Sequence, residues 1–229
     1  MIAQQLAKSI AASTIRPRPT ATLRYLPTYT TLLKMSMSSA AGQAAQGPLS
    51  EKIIHDHEEL HEYYHKMISS SDHSIKTQYQ NQFVWELARH TIAEELVVYP
   101  AFEKYLADEG KAMADKDRAE HNVLKKELYK FQSLSCTSDD WEPTIKHLYE
   151  DLKQHIVEEE KDDLPKLEKA IERTESDNLA ASFQRTKMFV PTRSHPMAPD
   201  KPPFETVAGL LAAPIDKLGD IFRQFPQKP

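Results

Sequence analysis

His90-Thr91-Ile92-Ala93-Glu94-Glu95, closing on Tyr99-Pro100, returns 65 residues later as His155-Ile156-Val157-Glu158-Glu159-Glu160, closing on Leu164-Pro165. Each copy sets a carboxylate four residues after a histidine and a proline ten residues after it. An acid stands one turn before each histidine, Glu86 and Asp151. A shorter echo precedes each copy, Asp56-His57-Glu58-Glu59-Leu60 and Glu120-His121-Asn122-Val123-Leu124. The gaps from His57 to His90 and from His121 to His155 are 33 and 34 residues. A repeat of this kind reveals the architectural unit: two helical hairpins, each carrying the same metal-ligand residue types, closed into an all-α, up-down four-helix bundle around a metal pair.

Helical periodicity supports that reading. After Gly47-Pro48, Ser50 is placed to cap a first helix reaching Ser69, with Ile53, His57, Leu60, Tyr64 and Met67 or Ile68 inward. The second helix is expected from Ile75 to Leu106, with Phe83, Leu87, His90, Glu94, Val97 and Ala101 on one face. Gly110 is read as the next break, and a third helix over Lys111–Leu134 aligns Asp117, His121, Leu124, Leu128 and Phe131. Ser138 or Asp139 opens the fourth, with Pro143 in its first turn, and Leu148, Leu152, His155, Glu159 and Asp162 share a side. All four patterns step by three and four. His57, His90, Glu94, His121, His155 and Glu159 therefore fall on apolar stripes. A carboxylate facing a core costs several kcal/mol unless it is paired or bound to a cation. Those six residues are the candidate metal ligands. Pro100 and Pro165 remove a helical hydrogen bond at matched levels and should bend both hairpins alike.

With these motifs in hand, residues 51–172 resemble the hemerythrin-like, HHE cation-binding proteins. Asp56-His57 and Glu120-His121 match that family's first and third helices, and His90/Glu94 with His155/Glu159 match its paired His-x-x-x-Glu motifs. The stretches Asn81–Lys104 and Lys187–Gly209 look like a fungal branch. The resemblance implies a non-haem di-iron centre, two iron ions bridged by the two glutamates, with dioxygen or another small diatomic as ligand. Oxygen carriers of the family have a second histidine one turn after the one matching His121, where this chain has Lys125. The carriers' last carboxylate matches Glu160, whereas helical geometry favours Glu159. Four histidines and two carboxylates leave coordination positions open, which favours diatomic or iron sensing, or iron buffering, over durable oxygen carriage. A metal-dependent oxidoreductase is the alternative use of the same centre, and a metal-free helical interaction protein the structural one. Glu86, Asp117 and Asp151 are expected either to orient the histidines that follow them or to form ordinary pairs such as Glu86 with Arg89.

Other readings explain less. His57-Glu58-Glu59-Leu60-His61 spells the zinc-peptidase H-E-x-x-H, but no extension follows it and the paired motifs stay unexplained. A ferritin-like site needs Glu-x-x-His on two helices. Glu58/His61 fits that, yet Leu87, Arg118 and Leu152 stand where the other glutamates should be. No nucleophile triad, phosphate loop or dinucleotide fingerprint appears, so no catalytic residue is assigned. His61 is placed near the stripe, and His65, His73, His147 and His195 away from it.

Composition agrees with a helical protein. Only five glycines occur in 229 residues, and nine of the ten histidines lie between His55 and His155. A net charge of -5 gives no reason to expect nucleic acid binding. Cys136 stands alone, which excludes an internal disulfide framework. No apolar run approaches the roughly 18 residues of a membrane span. Residues 1–49 contain Lys8, Arg16, Arg18, Arg24 and Lys34 but no acid, the composition of a mitochondrial targeting leader; without that role the protein would be cytoplasmic. The bundle is expected over 50–173 and a helical, proline-rich extension over 174–229. In that extension Leu179, Phe183 and Met188 should rest on the bundle. Its last helix, with Val207, Leu210, Leu211, Ile215, Leu218, Ile221 and Phe222, either packs back or meets a protein partner or a second copy.

Overall fold

The computed structural model describes residues 47–196 and 204–227, with the side chains of 204–211 left aside. The expected leader lies almost wholly outside these residues. Every regular element among them is helical. Helix α1 spans Pro48–Ser69 and α2 spans His73–Ala93. A π turn over Glu94–Val98 leads into α3, Tyr99–Tyr105. Helix α4 spans Ala107–Phe131 and α5 spans Trp141–Glu158. A second π turn, Glu159–Asp163, leads into α6, Leu164–Ala170. The extension supplies α7, Arg173–Phe189, and α8, Phe204–Asp220.

Two apolar clusters fix the topology. One holds Leu60, Phe83, Leu87, Leu124, Leu128, Phe131, Trp141 and Leu148. The other holds Leu49, Ile53, Tyr99, Phe102, Ala114, Leu164, Leu167 and Phe183. Helix α1 runs from the second cluster to the first, α2–α3 runs back, α4 repeats the first direction and α5–α6 the second. The four rods are thus antiparallel in turn, as short connections require. Between the clusters every rod crosses one polar layer, which carries all six candidate ligands.

Local chemistry explains the ends. Asp72 caps α2, accepting from the Ser74 and Ile75 amides at 2.7 and 3.4 Å. Ser50, expected as the cap of α1, instead sits inside its first turn, which starts after Gly47. Its amide and hydroxyl both donate to Glu168 Oε1, each at 2.9 Å, so an acid from α6 does the capping and complements the helix dipole. Gly110 does not break the third rod. The break falls at Leu106–Ala107, with Ala107 at φ 52°, an L-residue conformation that costs about 1–2 kcal/mol. Gly110 lies within α4, where a Cβ would stand 1.9 Å from the Phe102 carbonyl oxygen. Its missing side chain lets α3 and α4 approach.

Both prolines follow the same local change in the helix. Each is preceded by a π turn closed by an i→i−5 bond, Tyr99 N–H to Glu94 O and Leu164 N–H to Glu159 O. One extra residue per turn shifts the inward register by one. Val98 therefore enters the core where Val97 was expected, and Asp163 is buried where Asp162 was expected. On α7, Phe183 is buried and Leu179 partly so, but Met188 is exposed and Lys187 points in. Among the described side chains of α8, Ala213 and Asp216 are buried, while Ile215 and Leu218, with Ile221 and Phe222 just beyond it, are exposed. No helix among the described residues is long and apolar enough to cross a membrane.

Candidate metal centre

The structure brings all six sequence-predicted residues into the polar layer, none more than 3% exposed. His57 comes from α1, His90 from α2, His121 from α4 and His155 from α5, while Glu94 and Glu159 open the two π turns. The imidazoles meet in pairs within each hairpin. His57 Nε2 lies 3.2 Å from His90 Nε2, and His121 Nε2 lies 3.1 Å from His155 Nε2. Glu94 spans the pairs, with Oε1 3.2 Å from His90 Nε2 and Oε2 3.4 Å from His121 Nε2. Glu159 Oε2 lies 3.4 Å from His57 Nε2. None of the four oxygens of Glu94 and Glu159 has a hydrogen-bond partner. Fully buried and unsatisfied carboxylates facing imidazole nitrogens are a donor set for cations.

A second ring of acids serves the other nitrogen of every histidine. His57 Nδ1 donates to Glu160 at 2.8 Å, His90 Nδ1 to Asp56 at 3.2 Å, His121 Nδ1 to Glu95 at 3.2 Å, and His155 Nδ1 to Glu120 at 2.9 Å. A carboxylate only accepts, so each Nδ1 carries a proton and each Nε2 faces inward. The pattern is reciprocal. Asp56 and Glu120 each precede one histidine and hold its hairpin partner; Glu95 and Glu160 each follow a central glutamate and hold a histidine of the other hairpin. This arrangement orients the four rings and raises their basicity. It also separates the roles of Glu159, which is central, and Glu160, which is peripheral.

Periodicity pointed elsewhere for these supports. Glu86 touches no histidine; it pairs with Arg89 and Lys187. Asp151 lies near His147 at 3.7 Å on the surface. Asp117 is buried, and neither oxygen accepts a hydrogen bond; Lys116 Nζ stands 3.6 Å away. The signal that could have found the true supports was in the doublets, Asp56-His57, Glu120-His121, Glu94-Glu95 and Glu159-Glu160, each setting an acid beside an inward residue. The remaining histidines stay out. His61 Nδ1 and the Tyr149 hydroxyl lie 2.8 Å apart, so the H-E-x-x-H pair does not converge. His147 is exposed and His195 bonds Asp216 at 2.9 Å.

Two residues near His121 break the match between the hairpins. Lys125, where carriers of the resembled family have a histidine, is tied to Glu95, the acid that holds His121. The Tyr99 hydroxyl, fully buried, lies 2.8 Å from His121 Nε2. Beyond the layer, Lys187 of α7 bonds both Asp56 and Glu86, at the floor of a cleft of about 930 Å³.

Charge balance in the layer calls for cations. Burial pulls the His90 pKa down, but Glu94 and Asp56 override it and lift it to about 10. Burial likewise opposes His155, which Glu120 and Glu159 lift to about 9. His57 rises against its burial because Glu159 and Glu160 hold it. His121 alone falls, through burial and the nearby His155, despite Glu95. Burial would raise Glu159, yet His57 and His155 hold it at about 2. Protons fill the demand for positive charge in the metal-free form, and metal ions must compete with them.

An antiparallel helical bundle with inward imidazoles and carboxylates defines a class of metal-binding helical proteins. The model of the hemerythrin HHE cation binding domain matches residues 49–167. An uncharacterized hemerythrin-like protein of Schizosaccharomyces pombe is 55% identical over 178 residues, 78% of this chain and 88% of that protein. The chain belongs to the hemerythrin HHE cation-binding family. No solved structure matches it.

Proposed function

We propose that this protein holds a pair of non-haem iron ions in the polar layer and uses them to sense dioxygen or another small diatomic, or to sense or buffer iron. His57 and His90 would serve one ion, His121 and His155 the other, with Glu94 and Glu159 shared. Iron suits imidazole with carboxylate, and bound there it would supply redox chemistry and open positions for a diatomic ligand. The observation that carries this reading is the set of four unbonded, buried carboxylate oxygens beside four imidazole Nε2 atoms. The chain's own part is to hold those rings through their Nδ1 protons and to keep bulk water from a layer sealed above and below by apolar clusters.

Anaerobic iron titration with optical and Mössbauer spectra tests the reading: two irons per chain in a coupled pair support it, and a chain that takes up none refutes it. With Lys125 engaged by Glu95, the second hairpin lacks the additional histidine of the carriers, which favours sensing or buffering over carriage. Stopped-flow mixing of the reduced, iron-loaded protein with dioxygen decides this, because a stable and reversible optical change would favour carriage. Two further assignments belong to the same proposal. The acid-free leader would direct the chain to mitochondria, testable by the cellular location of a fusion to its first fifty residues. The exposed row Ile215, Leu218, Ile221 and Phe222 would meet a protein partner or second copy, and truncation at Pro191 followed by sizing chromatography tests self-assembly.

A further inference from the structure

The hairpins match at each of the four histidines and both central glutamates, but not at the residue before each proline. Tyr99 precedes Pro100 and Leu164 precedes Pro165. Both side chains are buried. Leu164 is an ordinary member of the apolar cluster that also holds Leu49, Phe102 and Phe183. Tyr99 packs there too, but its hydroxyl reaches up into the polar layer, 2.8 Å from His121 Nε2. The same nitrogen lies 3.1 Å from His155 Nε2 and 3.4 Å from Glu94 Oε2. The phenol oxygen thus stands at one end of the layer, on the side of the second histidine pair.

The π turn puts it there. Tyr99 closes the Glu94–Val98 turn, and the added residue swings its ring onto the inward face together with Glu94. His121 Nδ1 donates to Glu95, which leaves Nε2 as the acceptor that the Tyr99 hydroxyl and His155 Nε2 both face in the metal-free form. A cation on His121 Nε2 removes that acceptor. The buried hydroxyl must then bind elsewhere or remain unsatisfied, at a cost of about 1–3 kcal/mol. Lys125 cannot fill the missing donor position on this side, because it is tied to Glu95.

We propose that the Tyr99 phenol oxygen is an additional donor to the cation held by His121 and His155, so that the two metal positions are chemically unequal. This rests on the iron-pair reading above. With iron in its oxidised, trivalent form, the phenol O–H bond breaks, an oxygen–iron bond forms, the proton leaves to solvent and no electron moves. The ion beside His57 and His90 has no such partner, since Leu164 offers no donor.

The test uses the full chain, loaded anaerobically with ferrous iron and oxidised with ferricyanide. Phenolate bound to ferric iron gives a visible charge-transfer band and ring vibrations in resonance Raman that shift with ring-deuterated tyrosine. The wild type should show both. Tyr99→Phe and Tyr99→Leu, the latter copying the second hairpin, should lose both when the spectra are scaled to the iron each variant holds, whereas Tyr149→Phe should keep them. Two folded variants guard against one failing to fold, and the labelled wild type needs neither. A wild type that holds the iron pair without phenolate vibrations overturns the Tyr99 assignment alone. Vibrations that survive in either Tyr99 variant also overturn it. A chain that holds no iron pair overturns this assignment and the iron reading together.

Discussion

Helices α1–α3 and α4–α6 carry the same donors in the same order, yet they are finished by different means. On the first hairpin the supporting acid Asp56 is buried, and its charge is met by Lys187, a buried ammonium that arrives from α7. On the second hairpin the matching acid Glu120 is about one-third exposed and is met by Lys116 from its own helix, itself half exposed, at 3.1 Å. One turn before the layer, the first hairpin places Ile53 and the second Asp117; one turn after it, the matching pair is Val98 and Asp163. A sequence repeat thus conserves the donor geometry while leaving the dielectric around each half free to differ. The first half is apolar beside the layer and locked by the extension, and the second is acidic there and pairs its supporting acid with a half-exposed lysine.

That contrast can be broken at several points. If the layer holds the proposed iron pair, Glu94→Ala, which removes one oxygen facing each histidine pair, should release most of that iron, measured by elemental analysis after desalting; retention of the full pair would show that the hairpins hold metal independently. Lys187→Met leaves Asp56 and Glu86 buried without their common cation. Breaking a buried pair in this way costs about 3–5 kcal/mol, and urea unfolding of the metal-free protein should show it.

Asp117→Asn should act in the opposite direction. Burial, with Glu159 and Asp163 nearby, pushes the Asp117 pKa from 3.8 to about 8. The folded state then holds a proton that the unfolded state has lost, so stability falls as pH rises from about 4 to about 8. The amide removes that penalty. Its stabilisation of the metal-free protein, about 1–3 kcal/mol at pH 8, should shrink towards zero near pH 4, as followed by thermal melts across that range. A gain independent of pH would mean that Asp117 is not the group responsible. Lys116→Met is the smallest change. Its pairs with Glu120 and Glu158 are exposed, and its loss should cost less than about 1 kcal/mol in the same urea assay. A cost equal to that of Lys187→Met would erase the distinction between the two halves.

The four rods and the six inward donors were legible because both depend on helical period and on residue type, which any single rod displays. His90 with Glu94 and His155 with Glu159 announce a polar layer within apolar stripes. The π turns were not legible as such. Pro100 and Pro165 mark the place, but whether a helix kinks or takes up an extra residue depends on the packing of Val98 and Asp163 against the other rods. The acids that hold the histidines were missed for a related reason. Asp56, Glu95, Glu120 and Glu160 each support a ring on a different rod, so spacing along one helix points instead to Glu86 and Asp151, which do not reach. Lys187 resembles a surface lysine beside Met188 until α7 is docked, and then the two exchange places. Gly110 was read as a stop, although its service is a close contact with Phe102.

The reach of Lys187 also sets where this protein may be trimmed. The hemerythrin-type segment ends at residue 167, twenty positions before that ammonium. A fragment cut to the segment would keep the four layer histidines and both central glutamates, yet would open the wall behind His90 to water and leave two carboxylates facing each other. Autonomy, in this chain, extends past its recognisable module to the end of the helix that follows.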